Sequence, residues 1–100
     1  MSGLDVTGTI FSRLSPGELR LMPALSVGWP DEKVATLCFI TKTTLRTHTR
    51  HIYQKLNVKT RAELAVAWAQ FALLIEIAER NNINPIDIIR AHRPDLLQDG

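Results

Sequence analysis

Apolar residues recur along this chain at intervals of three and four positions, the spacing that places side chains on one face of an α-helix. No segment shows the alternation of apolar and polar residues that is typical of a half-buried strand. Start and stop signals divide the pattern into five helices, which we predict to begin at Pro16, Pro30, Lys42, Arg61 and Pro85. The sequence therefore predicts an all-α fold.

Residues near the predicted helix ends support this division. Ser15 and Glu18 have the spacing of a capping box, in which each side chain bonds the other residue's backbone N–H, and Thr60 and Glu63 repeat it. Pro23 falls inside the first helix, where a proline removes a backbone hydrogen bond and costs about 3 kcal/mol. We therefore expect the first helix either to bend at Pro23 or to be shorter than its apolar pattern.

The third predicted helix has two chemically different faces. Leu45, Thr49, Ile52 and Leu56 fall on one flank, which can pack on a core. Another flank carries cations, hydroxyls and an amide: Lys42, Thr43, Arg46, Thr47, Arg50 and Gln54. A helix with one cationic face, next to a short amphipathic helix, is typical of proteins that read the major groove of DNA.

The fourth predicted helix, residues 61–80, is apolar on nearly all sides. Its side chains form one stripe of Leu64, Trp68, Phe71 and Ile75 and a second stripe of Val66, Leu73 and Ile77. The core of a chain this size can cover one stripe. The second stripe therefore predicts a further covering surface.

Two arrangements would cover the second stripe. In the first, two copies of the chain pair through their fourth helices in a two-fold dimer. In the second, the fifth helix folds back over the stripe within a monomer. We favour the dimer as a hypothesis, and we expect its interface to contain Ala65, Trp68, Ala69, Ala72 and Leu73.

Charge is distributed unevenly along the chain. The net charge is only +2, but residues 33–62 carry seven basic residues and no acidic ones, whereas residues 76–100 carry five acidic and three basic residues. The seven are Lys33, Lys42, Arg46, Arg50, Lys55, Lys59 and Arg61. A solvated surface normally mixes both signs, so the segment favours a polyanionic partner. A hydrophobic content of 45% supports a packed core.

Other kinds of site find little support in the sequence. Cys38 is the single cysteine, so neither an intrachain disulfide nor a cysteine-based zinc site is possible, which fits a reducing compartment. His48 and His51 are three positions apart without a third ligand nearby, so packing or a phosphate-facing role is favoured over a metal site. Because no catalytic or cofactor-binding motif is present, we expect no enzyme activity, no cofactor and no metal.

The chain also lacks the pattern of a membrane protein. Its longest uncharged, mainly apolar run, residues 64–75, is well short of the roughly 20 residues that a spanning helix needs. The N-terminus has no basic segment followed by an apolar run, as a signal peptide would. We expect a cytoplasmic protein with no membrane partner.

The cationic segment and its neighbours resemble the LuxR/GerE-type helix-turn-helix domain of bacterial transcription regulators. The run Ile-Thr-x-x-Thr-Leu-Arg-x-His, followed by Ile-x-x-Lys-Leu-x-Val, is long and specific. The resemblance covers residues 14 to about 71 without a gap. The matching positions are Leu14, Ser15, Glu18, Gly28, Val34, Ala35, Ile40, Thr41, Thr44, Leu45, Arg46, His48, Ile52, Lys55, Leu56, Val58, Thr60 and Arg61.

This resemblance implies a four-helix DNA-binding domain at residues 14–71. We expect a flexible N-terminal arm at residues 1–13, which Ile10, Phe11 and Leu14 could dock onto the domain. At residues 72–100 we expect a C-terminal extension for oligomerisation or partner contact. We expect it to contain the end of the long fourth helix and a short fifth helix, and to be frayed from Asp95 onward. The resemblance further implies that the third helix, about residues 42–56, enters the major groove of double-stranded DNA and that the protein acts as a homodimer. In a bacterium, such a protein would be associated with the nucleoid.

The resemblance also implies roles for single residues. Arg46 takes a position at which the family has a DNA-contacting Lys or Arg, and Lys55 and Arg61 fall where cations and backbone amides flank the phosphates. With the cation Lys59, which the charge pattern adds, we predict a DNA-binding set of Lys42, Thr43, Arg46, Thr47, Arg50, Lys55, Lys59 and Arg61.

Two functions remain open at this point. One is a stand-alone, sequence-specific transcription regulator. The other is a co-regulator or inhibitor that keeps the helix-turn-helix fold and pairs with another regulator through the fourth helix and the C-terminal tail.

The chain departs from the residues usual in the family at four positions, which fall in the first helix and at the start of the second. They are Gly17, Arg20, Pro23 and Pro30.

Overall fold

The helices form where the sequence places their start signals. A computed structural model describes residues 4–98 of the chain. Over that range the helices are α1 (Pro16–Ser26), α2 (Asp31–Leu37), α3 (Lys42–Leu56), α4 (Arg61–Arg80) and α5 (Pro85–His92), with short 3₁₀ helices at Ile10–Arg13 and Pro94–Leu96. The prediction of an all-α fold with a long fourth and a short fifth helix is confirmed.

The first helix begins with the predicted capping box. The Ser15 hydroxyl accepts a hydrogen bond from Glu18 N at 3.2 Å, and the Glu18 carboxylate accepts one from Ser15 N at 2.8 Å. Pro23 lies inside α1, which continues to Ser26 and is not cut short. The burial of Met22 and Leu25, each worth about 1.5–3 kcal/mol, offsets the backbone hydrogen bond that Pro23 removes.

The short helix α2 and the longer α3 form the helix-turn-helix pair. Pro30 is the residue before α2 rather than its first residue, one position from the expected start. Thr41 caps α3, because its hydroxyl accepts a hydrogen bond from Thr44 N at 3.1 Å. Asn57 ends α3 in the left-handed conformation with a φ of 55°. Both ends of α3 are therefore fixed by local chemistry.

The core lies between α1, α3 and α4. Leu45 and Ile52 of α3 and Leu64 and Phe71 of α4 are fully buried. The Phe71 ring lies 4.8 Å from that of Phe11, centroid to centroid. These contacts hold α3 by its apolar flank and leave its other flank directed outward.

The segment before α1 is packed along part of its length. Residues 1–13 were expected to form a flexible arm, with Phe11 and Leu14 as residues that could dock it. In the structure Phe11 is fully buried and Thr9 caps the 3₁₀ helix Ile10–Arg13, so this part of the arm is docked on the domain. Residues 1–3 lie outside the described residues.

The described end of the chain, residues 95–98, is also docked rather than frayed. Leu96 is buried in the core, and Thr9 and Leu97 form an isolated antiparallel bridge. Beside that bridge, Gln98 N donates to Gly8 O at 2.9 Å. The apolar pair Leu96–Leu97 accounts for the difference, because burying these side chains offsets the entropy of ordering the tail. The last two residues, 99 and 100, lie outside the described residues.

Helix α5 covers α4 only in part. Leu74 and Ala78 of α4 are buried, as is Ile89 of α5. Val66 and Leu73, from the second stripe, remain 52% and 55% exposed. The fold-back of the fifth helix is therefore present, but within residues 4–98 nothing covers these two side chains fully.

Candidate nucleic-acid interface

The outward face of α3 carries the side chains that could meet DNA. Its opposite flank is buried through Leu45, Ile52 and Leu56, which fixes the rotation of the helix about its axis. Thr43, Arg46, Arg50 and Gln54 are exposed on the outward face, and Thr47 is partly exposed beside them. The predicted face is therefore brought together on one side of one helix.

Most of the cations on this face have no acidic partner within the chain. Over residues 4–98, none of the salt bridges includes Arg46 or Arg50 of this face, and none includes Lys59, which lies in the connection between α3 and α4. Lys42 pairs with Glu32 at 3.3 Å, but both side chains are largely exposed, and such surface pairs contribute only about 0–1 kcal/mol. A phosphate can therefore replace Glu32 at small cost.

The two threonines on this face offer different chemistry. Thr47 donates its hydroxyl hydrogen to Thr43 O one turn earlier, at 3.1 Å, which leaves its oxygen as an acceptor and its methyl group as an apolar contact. No hydrogen bond fixes the Thr43 hydroxyl in the described chain, so it can donate or accept. Side chains of this kind contact base edges in the major groove.

Lys55 does not lie on this face. Its Nζ donates to Glu18 Oε1 at 2.6 Å and ties the end of α3 to the start of α1. The Glu18 side chain is only 3% exposed, whereas that of Lys55 is 39% exposed. The pair joins two elements of the fold, so the structure assigns Lys55 a positioning role whatever it contributes to phosphate binding.

The ionic state of Glu18 follows from these contacts. Burial acts to raise the pKa of the Glu18 carboxyl. The hydrogen bonds from Lys55 and Ser15, together with the positive charge of Lys55, act in the other direction and outweigh it, so the pKa of Glu18 lies below its ordinary value of 4.5. Glu18 is therefore a carboxylate that the fold stabilises at neutral pH.

Arg61 also uses its hydrogen bonds within the fold. Its guanidinium donates to Leu25 O at 2.9 Å and to Trp29 O, and it lies 3.5 Å from the Asp31 carboxylate. These contacts tie the start of α4 to the connection between α1 and α2. Like Lys55, Arg61 holds the elements around α3 in place.

The structural roles of Lys55 and Arg61 could not be predicted from the sequence. Glu18 and Lys55 are 37 positions apart, and Arg61 is 36 positions from Leu25, so no local pattern could reveal either contact. The sequence did contain one related local signal, the Ser15–Glu18 capping box. It fixes the direction of the Glu18 carboxylate but does not reveal that Lys55 is its distant partner.

The side chains that we predicted for a dimer interface differ in how far they are exposed. Ala69 and Leu73 are exposed, and Ala65 and Ala72 are partly buried. Trp68 packs inside the chain, with its ring 5.1 Å from that of Phe11 in an edge-to-face arrangement. The exposed members lie along one side of α4.

Neither a metal site nor a membrane-spanning helix is found over residues 4–98. No group of three or more His, Cys, Asp or Glu side chains there has the arrangement of a metal site. None of the helices in this range is long and apolar enough to cross a membrane. Cys38 is partly buried and packs against the core.

Comparison with known proteins gives a match over the same region. The family described as "Bacterial regulatory proteins, luxR family" matches residues 12–68, which include α1, α2, α3 and the first part of α4. No solved structure matches the chain significantly.

Curated relatives share this segment. The oxygen regulatory protein NreC of Staphylococcus carnosus is 36% identical over 65 residues, which are 63% of this chain and 30% of that protein. The nitrate/nitrite response regulator protein NarL of Escherichia coli K12 is 31% identical over 55 residues, 55% of this chain and 26% of that protein. The chain thus spans less than a third of the length of these relatives.

We predict an acid-dependent loss of stability that Glu18→Gln removes. Because the pKa of Glu18 is lower in the folded chain than in the unfolded chain, its stabilising effect is fully present above the ordinary pKa of 4.5 and is lost as the pH falls through the folded-state pKa. Urea denaturation at a series of pH values measures this. At neutral pH Glu18→Gln should be less stable by about 1–3 kcal/mol.

The matched control is Glu79→Gln, which changes an exposed carboxylate on α4. It should keep both the stability and the acid-dependent loss of the wild type. If Glu18→Gln lost stability toward low pH as steeply as the wild type does, the Glu18–Lys55 pair would not be the source of the pH dependence.

Proposed function

The chain belongs to the luxR family of bacterial regulatory proteins, and we propose that it is a sequence-specific transcription regulator that inserts α3 into the major groove of DNA. The family membership supports DNA binding and transcription regulation in general. The insertion of α3, the residues that contact DNA and the dimeric state are our own inferences. One observation carries the insertion of α3 and its contacts: the helix is buried along one flank and presents along the other Arg46 and Arg50, which take part in none of the salt bridges of residues 4–98.

Affinity has an electrostatic part in this proposal. Lys42, Arg46, Arg50 and Lys59 neutralise phosphates and release the cations that surround DNA, which makes binding depend on salt. With four such contacts, affinity falls by about a hundredfold between about 50 and 200 mM salt. Lys55 and Arg61 act chiefly by positioning α3 and α4, although the 39% exposed side chain of Lys55 can still approach a phosphate.

Specificity has a separate source. Thr43, Thr47 and Arg50 lie on the part of α3 that would face base edges. Arg50 can make a bidentate pair with guanine, and such a pair discriminates by about 1–3 kcal/mol against the wrong base. Thr47 can accept a hydrogen bond from an exocyclic amine or contact a thymine methyl group, because its own hydrogen is already bonded to Thr43 O.

We further propose that the active form is a homodimer that pairs through α4. Val66, Ala69 and Leu73 follow each other at intervals of three and four positions and are exposed, which is the spacing of a helix–helix seam. Ala65 and Ala72 flank this row. Trp68, which packs on Phe11, lies at its edge and contributes at most a part of its ring.

The same row of exposed residues supports the second candidate function, a co-regulator that pairs with another regulator through α4 and the C-terminal extension. Absence of DNA binding, together with a regulator that co-purifies with the chain, would favour this candidate.

We predict that Arg46→Ala and Thr47→Ala separate the two sources of binding energy. Arg46→Ala removes a phosphate contact, so it should weaken binding to specific and random duplexes alike and reduce the salt slope of log K by about 1. Thr47→Ala should mainly change which sequence is preferred. The measurement is fluorescence anisotropy with a duplex selected from a random pool and with a random duplex, at several salt concentrations.

The matched control is Arg80→Ala, which removes a cation on α4 that is paired with Glu76 at 2.7 Å. It should leave affinity and salt slope unchanged. Equal effects of Arg46→Ala and Arg80→Ala would show that binding responds to net charge alone and would refute the assignment of α3 as the DNA-contacting helix.

We predict that Leu73→Asp converts a dimer into a monomer. A charge placed on this exposed apolar row cannot be buried without a partner, so pairing of two copies should be lost while the fold is retained. Sedimentation equilibrium measures the mass, and circular dichroism checks the helix content. A wild-type protein that stays monomeric at high micromolar concentration would rule out this dimer.

A further inference from the structure

The exit of α2 has an unusual residue in a demanding backbone conformation. Phe39 has a φ of 57°. Phe39 N donates to Thr36 O at 3.3 Å, and Ile40 N donates to Ala35 O at 3.0 Å. This pair of bonds is the Schellman motif, which ends helices and places its left-handed residue at the position that Gly usually takes, and Asn sometimes.

The other left-handed helix exits of the described chain follow that preference. After α1 the residue is Gly28, with a φ of 78°, and after α3 and α4 the residues are Asn57 and Asn82, with φ values of 55° and 52°. Phe39 is the exception among these exits. A side chain with a Cβ and a bulky ring disfavours this conformation, so Phe39 makes the turn less stable than Gly or Asn would.

Packing does not compensate for this strain. Phe39 is 94% exposed, the highest value among the large hydrophobic side chains of residues 4–98, and its ring is not part of the core. The aromatic ring therefore contributes little to the fold, which points to a contact outside the chain.

The position of Phe39 favours DNA as the partner. It lies two residues before Thr41, the cap of α3, and three residues before Lys42, so it is at the end of α3 whose residues meet base edges in helix-turn-helix proteins. Lys42, Arg46 and Arg50 follow along the outward face. A duplex held by these cations would lie beside the Phe39 ring, whereas a protein partner would have to displace or match the same positive charge.

We propose that Phe39 is a DNA-contacting residue whose ring packs against the apolar parts of the duplex at the edge of the groove. A deoxyribose ring and a thymine 5-methyl group both offer that chemistry. The contact is apolar and releases no counterion, so its contribution does not depend on salt. This inference rests on the proposed function, because it requires that α3 be the helix that meets DNA.

The test compares the wild type with Phe39→Gly and Phe39→Asn, two residues that accept the left-handed conformation. Both variants should fold with an unchanged or slightly raised Tm, because they relieve backbone strain. Both should bind the duplex selected by the wild type roughly fivefold more weakly at every salt concentration, with the salt slope of log K unchanged. Ile83→Ala, an exposed apolar residue between α4 and α5, should keep wild-type affinity.

A second arm identifies the apolar group. Duplexes in which uracil replaces thymine lack the 5-methyl group but keep the pairing. If this replacement weakens wild-type binding more than it weakens binding by Phe39→Gly, the ring contacts a thymine methyl. If it weakens both proteins equally, or neither, while Phe39→Gly still binds more weakly than the wild type, the ring contacts deoxyribose.

Several results would overturn the inference. If both variants bound DNA with wild-type affinity, the ring would not touch DNA. A protein partner would then be the favoured contact for Phe39. A changed salt slope would mean that Phe39 acts through the neighbouring cations, and a lowered Tm in both variants would make it a structural residue. If the wild type binds no duplex at all, the proposed function fails first and this inference fails with it.

Discussion

The burial of one flank of α3 is the interaction on which the rest of the structure depends. Leu45 and Ile52 are fully buried and Leu56 nearly so, and this fixes which side chains of α3 face outward. The Glu18–Lys55 pair fixes the end of the same helix against α1. Removing Lys55 would leave the Glu18 carboxylate, whose side chain is only 3% exposed, as a buried charge without a partner. The cationic face of α3 is a consequence of this arrangement.

The helices could be predicted from the sequence because their ends are encoded locally. Ser15, Thr41 and Thr60 each accept a hydrogen bond from a backbone N–H three positions later, and Asn57 adopts the left-handed exit. These interactions involve residues within one turn of each other, so their spacing alone specifies them. The outward face of α3 followed in the same way from the helical period.

Contacts between distant parts of the chain could not be predicted in this way. Lys55 was assigned to DNA from its charge and from the family resemblance, but in the structure it meets Glu18. The last residues were expected to fray, but Leu96 is buried beside the start of the chain. The exposure of Phe39 was equally hidden, because an aromatic residue in a turn is more often part of a core. In each case the missing information is the tertiary partner, or its absence, which local spacing does not contain.

Contact between DNA and the outward face of α3 can be tested by NMR, in a titration of ¹⁵N-labelled protein with duplex DNA. Amide signals should change at Thr43, Arg46, Thr47 and Arg50, with little change at Val66 and Leu73 on α4 beyond what pairing of two copies causes. Unchanged signals along α3, together with changes confined to α4 and α5, would show that DNA does not meet this face.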